Sequence, residues 1–384
     1  MDTILKPPWQ DIKYYKTKIF DKIIVFDEFQ DKIPIEVLRK KEEINVFELE
    51  HKWELAKKLA NPYEMVYTQE EKFPYANISL LKPLSRSYFK MVEILYSINF
   101  FQELSKQIQY LRSAHIAEGP GGFIQAFIDV AEQNKKKIKR IDAITLKSDK
   151  HFIPGWKKAS NFLKRYSKII HISYGKDDTG DIYKKENQEF FISEVVSKVH
   201  LFTADGGFDF SIDYCKQEKD IFQLLVSSFI VCFQVLAIDG VCVIKIFDTY
   251  SNSTQTLISL CGSCFKEYTI YKPSTSRPCN SERYFIGKKF KGFNSKVNDI
   301  LRQMDDNIYN DKYPKSDIDI KELEYINDIS IIYEKNQIEC IDLAKKFAIN
   351  QELHKEYYKN HFEKSLFFCK NFKIPTKSIH PLLL

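Results

Sequence analysis

The sequence lacks several patterns that would assign a protein to a class at once. Its eight cysteines include one C-x-x-C spacing, Cys261 to Cys264, and no second pair follows that would complete a zinc site. That pair falls in a predicted helix, so we expect neither a metal nor a redox or protease role for it. The first residues, MDTILKPPWQDIKYYK, lack the pattern of a secretory signal. Scattered cysteines without such a signal predict free thiols in a reducing compartment.

Strong charge of one sign and long apolar runs are also scarce. The net charge of +6 over 384 residues is compatible with a polyanionic partner but does not require one. Residues 221–238 are uncharged and long enough to suggest a membrane span, but they contain four polar residues and lie between two predicted strands. We therefore predict a buried crossover helix there. A hydrophobic content of 44%, with 14% aromatic residues, predicts a real core in one large domain with extensions, or in two domains.

Short apolar segments alternate with helical patterns through the middle of the chain. Alternation of this kind predicts an α/β fold with a largely parallel sheet. Ligands of such sheets bind at the carboxyl ends of the strands, where the strand order switches. The predicted strands are residues 114–117, 141–146, 169–173, 200–204, 241–246, 268–271 and 283–287. The predicted helices among them begin at 122 or span 158–166, 221–238 and 254–264.

A glycine-rich turn follows the first of these strands, in the stretch SAHIAEGPGGFIQAF. The strand ends at Glu118, and the glycines permit a ligand to approach the backbone and the first N–H groups of the next helix. Gly119 and Gly121 fit the start of a dinucleotide fingerprint, but Ile124 stands at its third glycine position, which argues against NAD or FAD. Taken alone, the turn is equally compatible with an ordinary connection from strand to helix.

Four polar residues stand around this turn in a characteristic order. They are Lys90 in SRSYFKMVEIL, Asp205 in FTADGGFDF, Lys245 in VCVIKIFD and Glu282 in TSRPCNSERYFIG. With them the chain resembles the FtsJ-type RNA ribose 2′-O-methyltransferases, and most of all their cap-specific mRNA branch. The motifs of that branch that stand here are NPYEM at 61–65, GPGGF at 119–123, TLK at 145–147, ADGG at 204–207 and TSRPxNSERY at 275–284, with Cys279 at the variable place. The resemblance covers about residues 50–290.

The resemblance implies a Rossmann-like S-adenosylmethionine-dependent methyltransferase sheet with helices on both faces. Its implied domains are a helical N-terminal extension with substrate contacts (1–80), the methyltransferase domain (81–290) and a helical C-terminal extension (291–384). The implied catalytic tetrad is Lys90, Asp205, Lys245 and Glu282. The implied S-adenosyl-L-methionine site is Ser85, Ala117, Glu118, Gly119, Pro120, Gly121, Gly122, Phe123, Asp181, Ile182 and Asp205. The implied substrate contacts are Lys57, Cys215, Ser276, Arg277, Asn280 and Glu282.

The implied partners are capped mRNA and other subunits of a capping apparatus, without a membrane or a metal. The segment YCKQE after ADGG is similar to proteins of large cytoplasmic DNA viruses, which implies the host cytoplasm or the virion. Two departures matter. Leu146-Lys147 ends the second strand where many methyltransferases have an acid, and Cys215 stands where relatives often carry a substrate-binding asparagine.

The chemistry assigns a role to each member of the tetrad. A ribose hydroxyl needs a general base, and Lys245 must lose a proton before it serves as one. Lys90, the sulfonium and burial all lower the pKa of Lys245, whereas Asp205 and Glu282 oppose that shift and orient the lysines and the hydroxyl. Two other functions stay open, namely methylation of ribosomal or other RNA and an inactive scaffold subunit of a capping complex.

The two ends of the chain show helical patterns with little else. One helix is predicted over residues 46–60, and another starts at Ser85 with its hydroxyl as the N-cap. The basic run KKKIKR at 135–140 is predicted to be a solvated helix end, remote from the site. Residues 318–332 and 338–347 predict helices that pack on the core.

Overall fold

A computed structural model describes residues 7–105, 107–147, 155–207 and 216–377. Within those ranges, eight strands form one sheet in the order β1-β8-β9-β7-β6-β3-β4-β5, and β2 pairs with β10 in a separate ladder. The strands are β1 Tyr15–Lys16, β2 Val25–Asp27, β3 Tyr110–Ile116, β4 Lys137–Ile144, β5 Ile170–Ser173, β6 Val199–Ala204, β7 Leu236–Ile246, β8 Phe265–Tyr271, β9 Arg283–Phe290 and β10 Tyr313–Lys315.

The helices surround this sheet and extend it at both ends of the chain. They are α1 Ile35–Leu49, α2 Trp53–Leu59, α3 Ser87–Ser97, α4 Phe100–Glu103, α5 Gly122–Gln133, α6 Ser160–Arg165, α7 Lys185–Glu194, α8 Gln217–Val235, α9 Asn252–Gly262, α10 Ser295–Ile308, α11 Ile320–Ile349 and α12 Tyr358–Asn371. Short 3₁₀ turns lie at Pro8–Gln10, Glu64–Val66, Lys157–Ala159 and Gln351–Tyr357.

The central strands are apolar on both faces, as strands covered by helices on two sides must be. Successive side chains of a strand point to opposite faces, so Phe202 of β6 joins the core under α8, α9 and α10. Its neighbour Leu201 joins the other core, under α3 and α5. The strands from β5 to β7 are parallel, whereas β9 runs antiparallel to both β7 and β8. The predicted Rossmann-like methyltransferase sheet with helical extensions is therefore confirmed.

The uncharged run at residues 221–238 is the crossover helix that the sequence predicts. Helix α8 carries it as far as Val235, and β7 begins at the next residue. Its polar Ser228 is buried and donates its hydroxyl to the carbonyl oxygen of Leu224, 2.6 Å away, which satisfies the group inside the core. Over the described ranges, no helix is both long and apolar enough to cross a membrane.

Three local predictions about secondary structure are wrong. Residues 46–60 are not one helix, because the chain turns at His51, whose φ is 56°, between α1 and α2. Ser85 does not cap α3, since the helix begins at Ser87 and the Ser85 hydroxyl bonds to that of Ser87 at 2.6 Å. The run KKKIKR is mostly strand, because β4 starts at Lys137. The helices predicted over residues 318–332 and 338–347 are confirmed, and the structure joins them in the single helix α11.

The N-terminal and C-terminal helices pack on each other. Trp53 and Ala56 of α2 share an apolar cluster with Ile341 and Ala344 of α11, and Cys279 of the loop before β9 belongs to the same cluster. The 3₁₀ turn at Glu64–Val66 contacts α12. Both extensions therefore lie against the edge of the sheet at which β6 and β7 end and β9 begins.

Candidate active site

Three members of the predicted tetrad meet at this edge because of strand direction and register. Asp205 directly follows β6, and Lys245 lies one residue before the end of the adjacent strand β7. Strand β9 runs the opposite way, so Glu282, the residue before its start, reaches the same edge, and Tyr284 pairs with Lys245. Lys90 comes from α3, and its Nζ lies 2.7 Å from Glu282 Oε1.

Lys245 and Asp205 form the second ion pair of the tetrad. Lys245 Nζ donates to the main-chain oxygen of Asp205 at 2.7 Å and lies 3.4 Å from its Oδ1. Tyr284 donates its hydroxyl to the same Oδ1 at 2.7 Å. Tyr284 was not predicted as a site residue, because its contact depends on the register of β7 and β9, which places it opposite Lys245. The structure therefore brings all four predicted tetrad residues together and adds a tyrosine.

The electrostatics of the tetrad differ from the expectation for Lys245. Burial alone lowers the pKa of Lys245, but the carboxylates of Asp205 and Glu282 outweigh it, so the pKa lies above the ordinary lysine value. Burial likewise raises the pKa of Glu282, but the adjacent Lys90 and Lys245 outweigh it and hold that pKa far below its usual range. Without a bound cofactor, Lys245 thus carries its proton and Glu282 its negative charge.

The glycine-rich turn places a buried carboxylate beside the tetrad. Glu118 is 3% exposed, and its Oε1 accepts the N–H of Phe123 at 2.7 Å. Its Oε2 is buried and has no hydrogen-bond partner among the residues that the structure describes. Burial, and then the negative charge of Asp205, raises the pKa of Glu118 well above its usual value. An unpaired buried oxygen of this kind suits an ammonium group, such as the one on the methionine part of the implied cofactor.

The turn itself depends on backbone conformations that glycine permits. Gly121 has a φ of 102°, which residues with a side chain rarely adopt. A Cβ on Gly122 would lie 2.2 Å from the hydroxyl oxygens of Ser85 and Ser87, so the starts of α5 and α3 approach each other only because that Cβ is missing. The side chain of Phe123 is fully buried in the core, and what it offers the turn is its N–H. Ala117, at a φ of 51°, begins the turn. After Glu118, the peptide bond between Gly119 and Pro120 is cis.

Asp181 and Ile182 lie on a loop that packs on the end of β4. A Cβ on Gly180 would lie 2.0 Å from the carbonyl oxygen of Thr145, so this loop touches the strand end directly. The fully buried Asn187 holds the loop by donating to Asp177 Oδ1 at 2.8 Å and to the Asp181 carbonyl at 3.0 Å. Ile182 is buried in the core, whereas Asp181 is partly exposed at the same edge as Glu118.

A small pocket lies beside the loop that leads to Glu282 and is lined by several of the predicted substrate contacts. It is lined by Lys41, Ile44, Trp53, Lys57, Gln217, Arg277, Cys279, Asn280, Ser281 and Gln337. Lys57, Arg277 and Asn280 thus come together, and Ser276 is buried behind Asn280 with its hydroxyl 3.3 Å from Asn280 Oδ1. Cys215 lies outside the described residues.

Two of the recognised motifs contact each other beside this pocket. Glu64 of NPYEM, fully buried, accepts from Arg277 of TSRPCNSERY at 2.9 and 3.1 Å, and Arg86 lies 3.1 Å from it. Asn61 completes the set with a 2.8 Å bond to Glu64. Burial raises the pKa of Glu64, but the two guanidinium groups outweigh it and lower that pKa to about 2. Arg277 is therefore held by a buried carboxylate at the wall of the pocket.

Lys57 also lines this pocket. Its ammonium pairs with Glu54 one turn earlier on α2, and about a fifth of its side chain is exposed. The partly exposed ammonium of Lys57 is therefore within reach of a ligand in the pocket.

Two buried lysines escaped the sequence analysis. Lys272 follows β8 and donates to the loop that carries Asn280 and Glu282. Lys41 of α1 pairs with the buried Asp248 at 2.6 Å. A lysine at a strand end directly before a proline, as in YKPSTSRP, is the one sequence signal that favours Lys272. Within the described ranges, no three His, Cys, Asp or Glu side chains lie close enough together to hold a metal ion.

Comparisons with known proteins agree with this geometry. A model of the FtsJ-like methyltransferase family matches residues 83–290. Cap-specific mRNA (nucleoside-2′-O-)-methyltransferase 1 of Dictyostelium discoideum is 29% identical over 314 residues, which cover 77% of this chain and 39% of that protein. The Homo sapiens protein of the same name is 29% identical over 258 residues, 64% of this chain and 29% of its own. This chain therefore spans well under half of either relative.

Among solved structures, a ribosomal RNA methyltransferase from Plasmodium falciparum aligns with 54% of this chain and 98% of its own. The sequence identity of that alignment is 18%, and its TM-score is 0.38.

Proposed function

The chain belongs to the FtsJ-like methyltransferase family, and from that premise we propose that it methylates the ribose 2′-OH of a cap-proximal nucleotide of mRNA. The observation that carries the proposal is the meeting of two lysine–carboxylate pairs with Glu118 and the pocket of Lys57 at one edge of the sheet. The relatives from Dictyostelium discoideum and Homo sapiens are named as cap-specific mRNA methyltransferases, which supports capped mRNA as the substrate.

S-adenosyl-L-methionine, when bound, supplies a methyl group on a sulfonium. Glu118 would hold its ammonium through the oxygen that has no partner, and Asp181 would face its adenosine part. Gly121 and Gly122 leave room for the backbone to pass close to a ligand. These residues fit the group because they offer one buried carboxyl group, one glycine-lined turn and one partly exposed carboxylate along the same edge.

Lys245 is the general base in this proposal. Its ammonium must first lose a proton, which the positive charge of a sulfonium and of Lys90 favours and the carboxylates of Asp205 and Glu282 oppose. The neutral amine then accepts the proton of the ribose hydroxyl as that oxygen attacks. Asp205 keeps the amine in place through its main-chain oxygen, and the Lys90–Glu282 pair positions the hydroxyl on the other side.

The pocket beside the tetrad is the candidate site for the capped end of the RNA. Lys57, Arg277 and Asn280 line it, and these residue types contact phosphate and base edges in nucleic-acid complexes. The partners in this proposal are capped mRNA and other subunits of a capping apparatus. The site of action is the cytoplasm of a host cell or the virion. The likeness to viral proteins remains a prediction from the sequence.

Transfer of labelled methyl onto short RNA tests the proposal. We expect RNA with a methylated guanosine cap to be a better substrate than the same RNA with a 5′ triphosphate, and nuclease mapping to place the methyl on a ribose next to the cap. Equal rates on the two RNAs, with methyl on internal riboses, would instead favour the ribosomal or general RNA function. Cofactor binding without transfer to any RNA would favour the scaffold function.

A further inference from the structure

Lys272 is a buried cation that none of the roles above uses. It follows the last residue of β8, and only 8% of its surface is exposed. Its Nζ lies 2.7 Å from the carbonyl oxygen of Asn280, 2.8 Å from Asn280 Oδ1 and 2.8 Å from the carbonyl oxygen of Glu282. In its protonated form Lys272 has three protons to donate, and these three oxygens satisfy all of them.

The three acceptors all belong to the short loop that precedes β9. This loop carries Glu282 to its ion pair with Lys90 and carries Asn280 to the wall of the pocket. A lysine that reaches across from the neighbouring strand therefore holds both residues through their main chain. Burial lowers the pKa of Lys272 to about 7, while the nearby Glu282 carboxylate opposes that shift. Burying an ammonium costs free energy unless it is fully hydrogen-bonded. The three bonds of Lys272 therefore indicate that the position of the loop before β9 is important.

The lysine also decides which way the amide of Asn280 faces. A protonated lysine and the main-chain N–H of Glu282 only donate hydrogen bonds, so the amide atom that faces both must be the oxygen. The N–H of Glu282, at 3.2 Å, and the hydroxyl of Ser276, at 3.3 Å, donate to the same oxygen. Among the described residues no acceptor bonds to Asn280 Nδ2, so the amide presents an N–H donor toward the pocket.

We propose that Lys272 is a positioning residue that fixes Glu282 for the reaction and Asn280 as a hydrogen-bond donor to an acceptor oxygen of the RNA. This inference rests on the proposed function for the identity of the substrate. The acceptor is a phosphate or a base carbonyl, since Asn280 in this orientation has no acceptor to offer. Lys272 itself touches neither substrate nor cofactor and acts through the loop.

A double-mutant cycle tests the link to Glu282. Lys272→Met keeps the apolar length and removes the three donors, and we expect kcat to fall roughly 10- to 100-fold, because displacement of a catalytic group by about 1 Å has effects of that size. In a Glu282→Ala background the same change should lower kcat by less than about 3-fold. Equal losses in both backgrounds, or a wild-type kcat in folded Lys272→Met, would overturn the proposal.

A binding measurement tests the link to Asn280 without turnover. Fluorescence anisotropy with a labelled capped RNA should show that Lys272→Met and Asn280→Ala weaken binding to a similar extent and that the double variant is no weaker. If the RNA affinity of the double variant falls by the product of the two single losses, this part of the proposal is overturned. Because it reads binding alone, the result stands even if the wild-type protein methylates a different position or a different RNA, which the transfer assay on wild type shows separately.

Lys288 provides a matched control. It is 5% exposed on β9, and it too donates to a main-chain oxygen, that of Ile98 at 3.2 Å, and to Glu103 at 2.7 Å. Lys288→Met should lower the melting temperature but leave kcat and RNA affinity unchanged. Should Lys272→Met not fold, Lys272→Gln keeps two donors and enters the same cycle with a smaller expected loss. A loss of kcat in Lys288→Met equal to that of the Lys272 variant would show a general effect of buried lysines and reject the positioning role.

Discussion

Replacement of Lys245 by methionine removes the amine of the proposed base while keeping most of its apolar length. In the structure this amine donates to the Asp205 carbonyl at 2.7 Å and lies 3.4 Å from the carboxylate of the same residue. Loss of the amine leaves that carbonyl without its donor, at a cost of about 1–3 kcal/mol. A protein of ordinary stability, about 5–15 kcal/mol, stays folded after such a loss. Turnover should fall by at least ~10²-fold, the usual contribution of a positioned general base.

The pH dependence makes this prediction sharper. In the cofactor-free protein, Asp205 and Glu282 raise the pKa of Lys245 above the ordinary lysine value although burial lowers it. The active form is the deprotonated one, so the wild-type rate should rise with pH from neutral into the alkaline range. Lys245→Met should lose this rise. Lys90→Met, the control, should lower kcat but keep the rise, because its amine is not the base.

Single-turnover methyl transfer to capped RNA between pH 6 and 10 measures both quantities, and calorimetric titration of S-adenosylmethionine shows whether each variant still binds the cofactor. A Lys245→Met protein that is folded, binds cofactor and turns over near the wild-type rate would refute the reasoning. The four tetrad residues would then form a structural polar cluster, and the base would have to be sought elsewhere.

Three further predictions follow from the same geometry. Glu118→Gln keeps the shape of the side chain but removes its charge, so calorimetry should show affinity for S-adenosylmethionine reduced at least ~10-fold, whereas equal affinity would move the ammonium site elsewhere. Lys57→Ala should raise the KM for capped RNA several-fold with little change in kcat; an unchanged KM would make Lys57 a surface lysine. Glu64 has a folded-state pKa of about 2, below its unfolded value, so its contribution of roughly 3 kcal/mol is present above about pH 4.5 and disappears as the pH falls toward 2. Glu64→Gln should therefore melt lower than wild type at pH 7, with a difference that shrinks in acid, and a difference independent of pH would contradict the ion-pair account.

The sheet and the tetrad could be predicted because their signals are local in the sequence. Apolar runs bounded by turns indicate each central strand, and the tetrad residues stand in short motifs at the ends of such runs. Since parallel strands present their carboxyl ends at one edge, Glu118, Asp205 and Lys245 had to lie near one another once the strands were placed. The seven predicted strands are all present, with bounds that differ by a few residues.

What the sequence did not reveal depends on contacts between distant segments. No proline or glycine in the sequence signals the turn at His51 between α1 and α2. The sign of the Lys245 pKa shift depends on how two carboxylates balance burial, which spacing along the chain does not contain. Lys272 and Tyr284 act through partners 8 and 79 positions away, and only the register of β8, β9 and β7 brings them to those partners.

Helix α11 lies outside residues 83–290, which the family model matches, yet it contacts the loop of the candidate site. Its 30 residues make a rod about 45 Å long, and along it Tyr333 accepts the N–H of Lys272 at 3.0 Å while Gln337 donates to the Cys279 carbonyl at 3.1 Å. A fragment cut to residues 83–290 would keep every tetrad residue yet lose this brace and the wall that carries Lys57. The smallest piece of this chain suited to engineering or inhibitor screening therefore runs from before α1 to beyond α11.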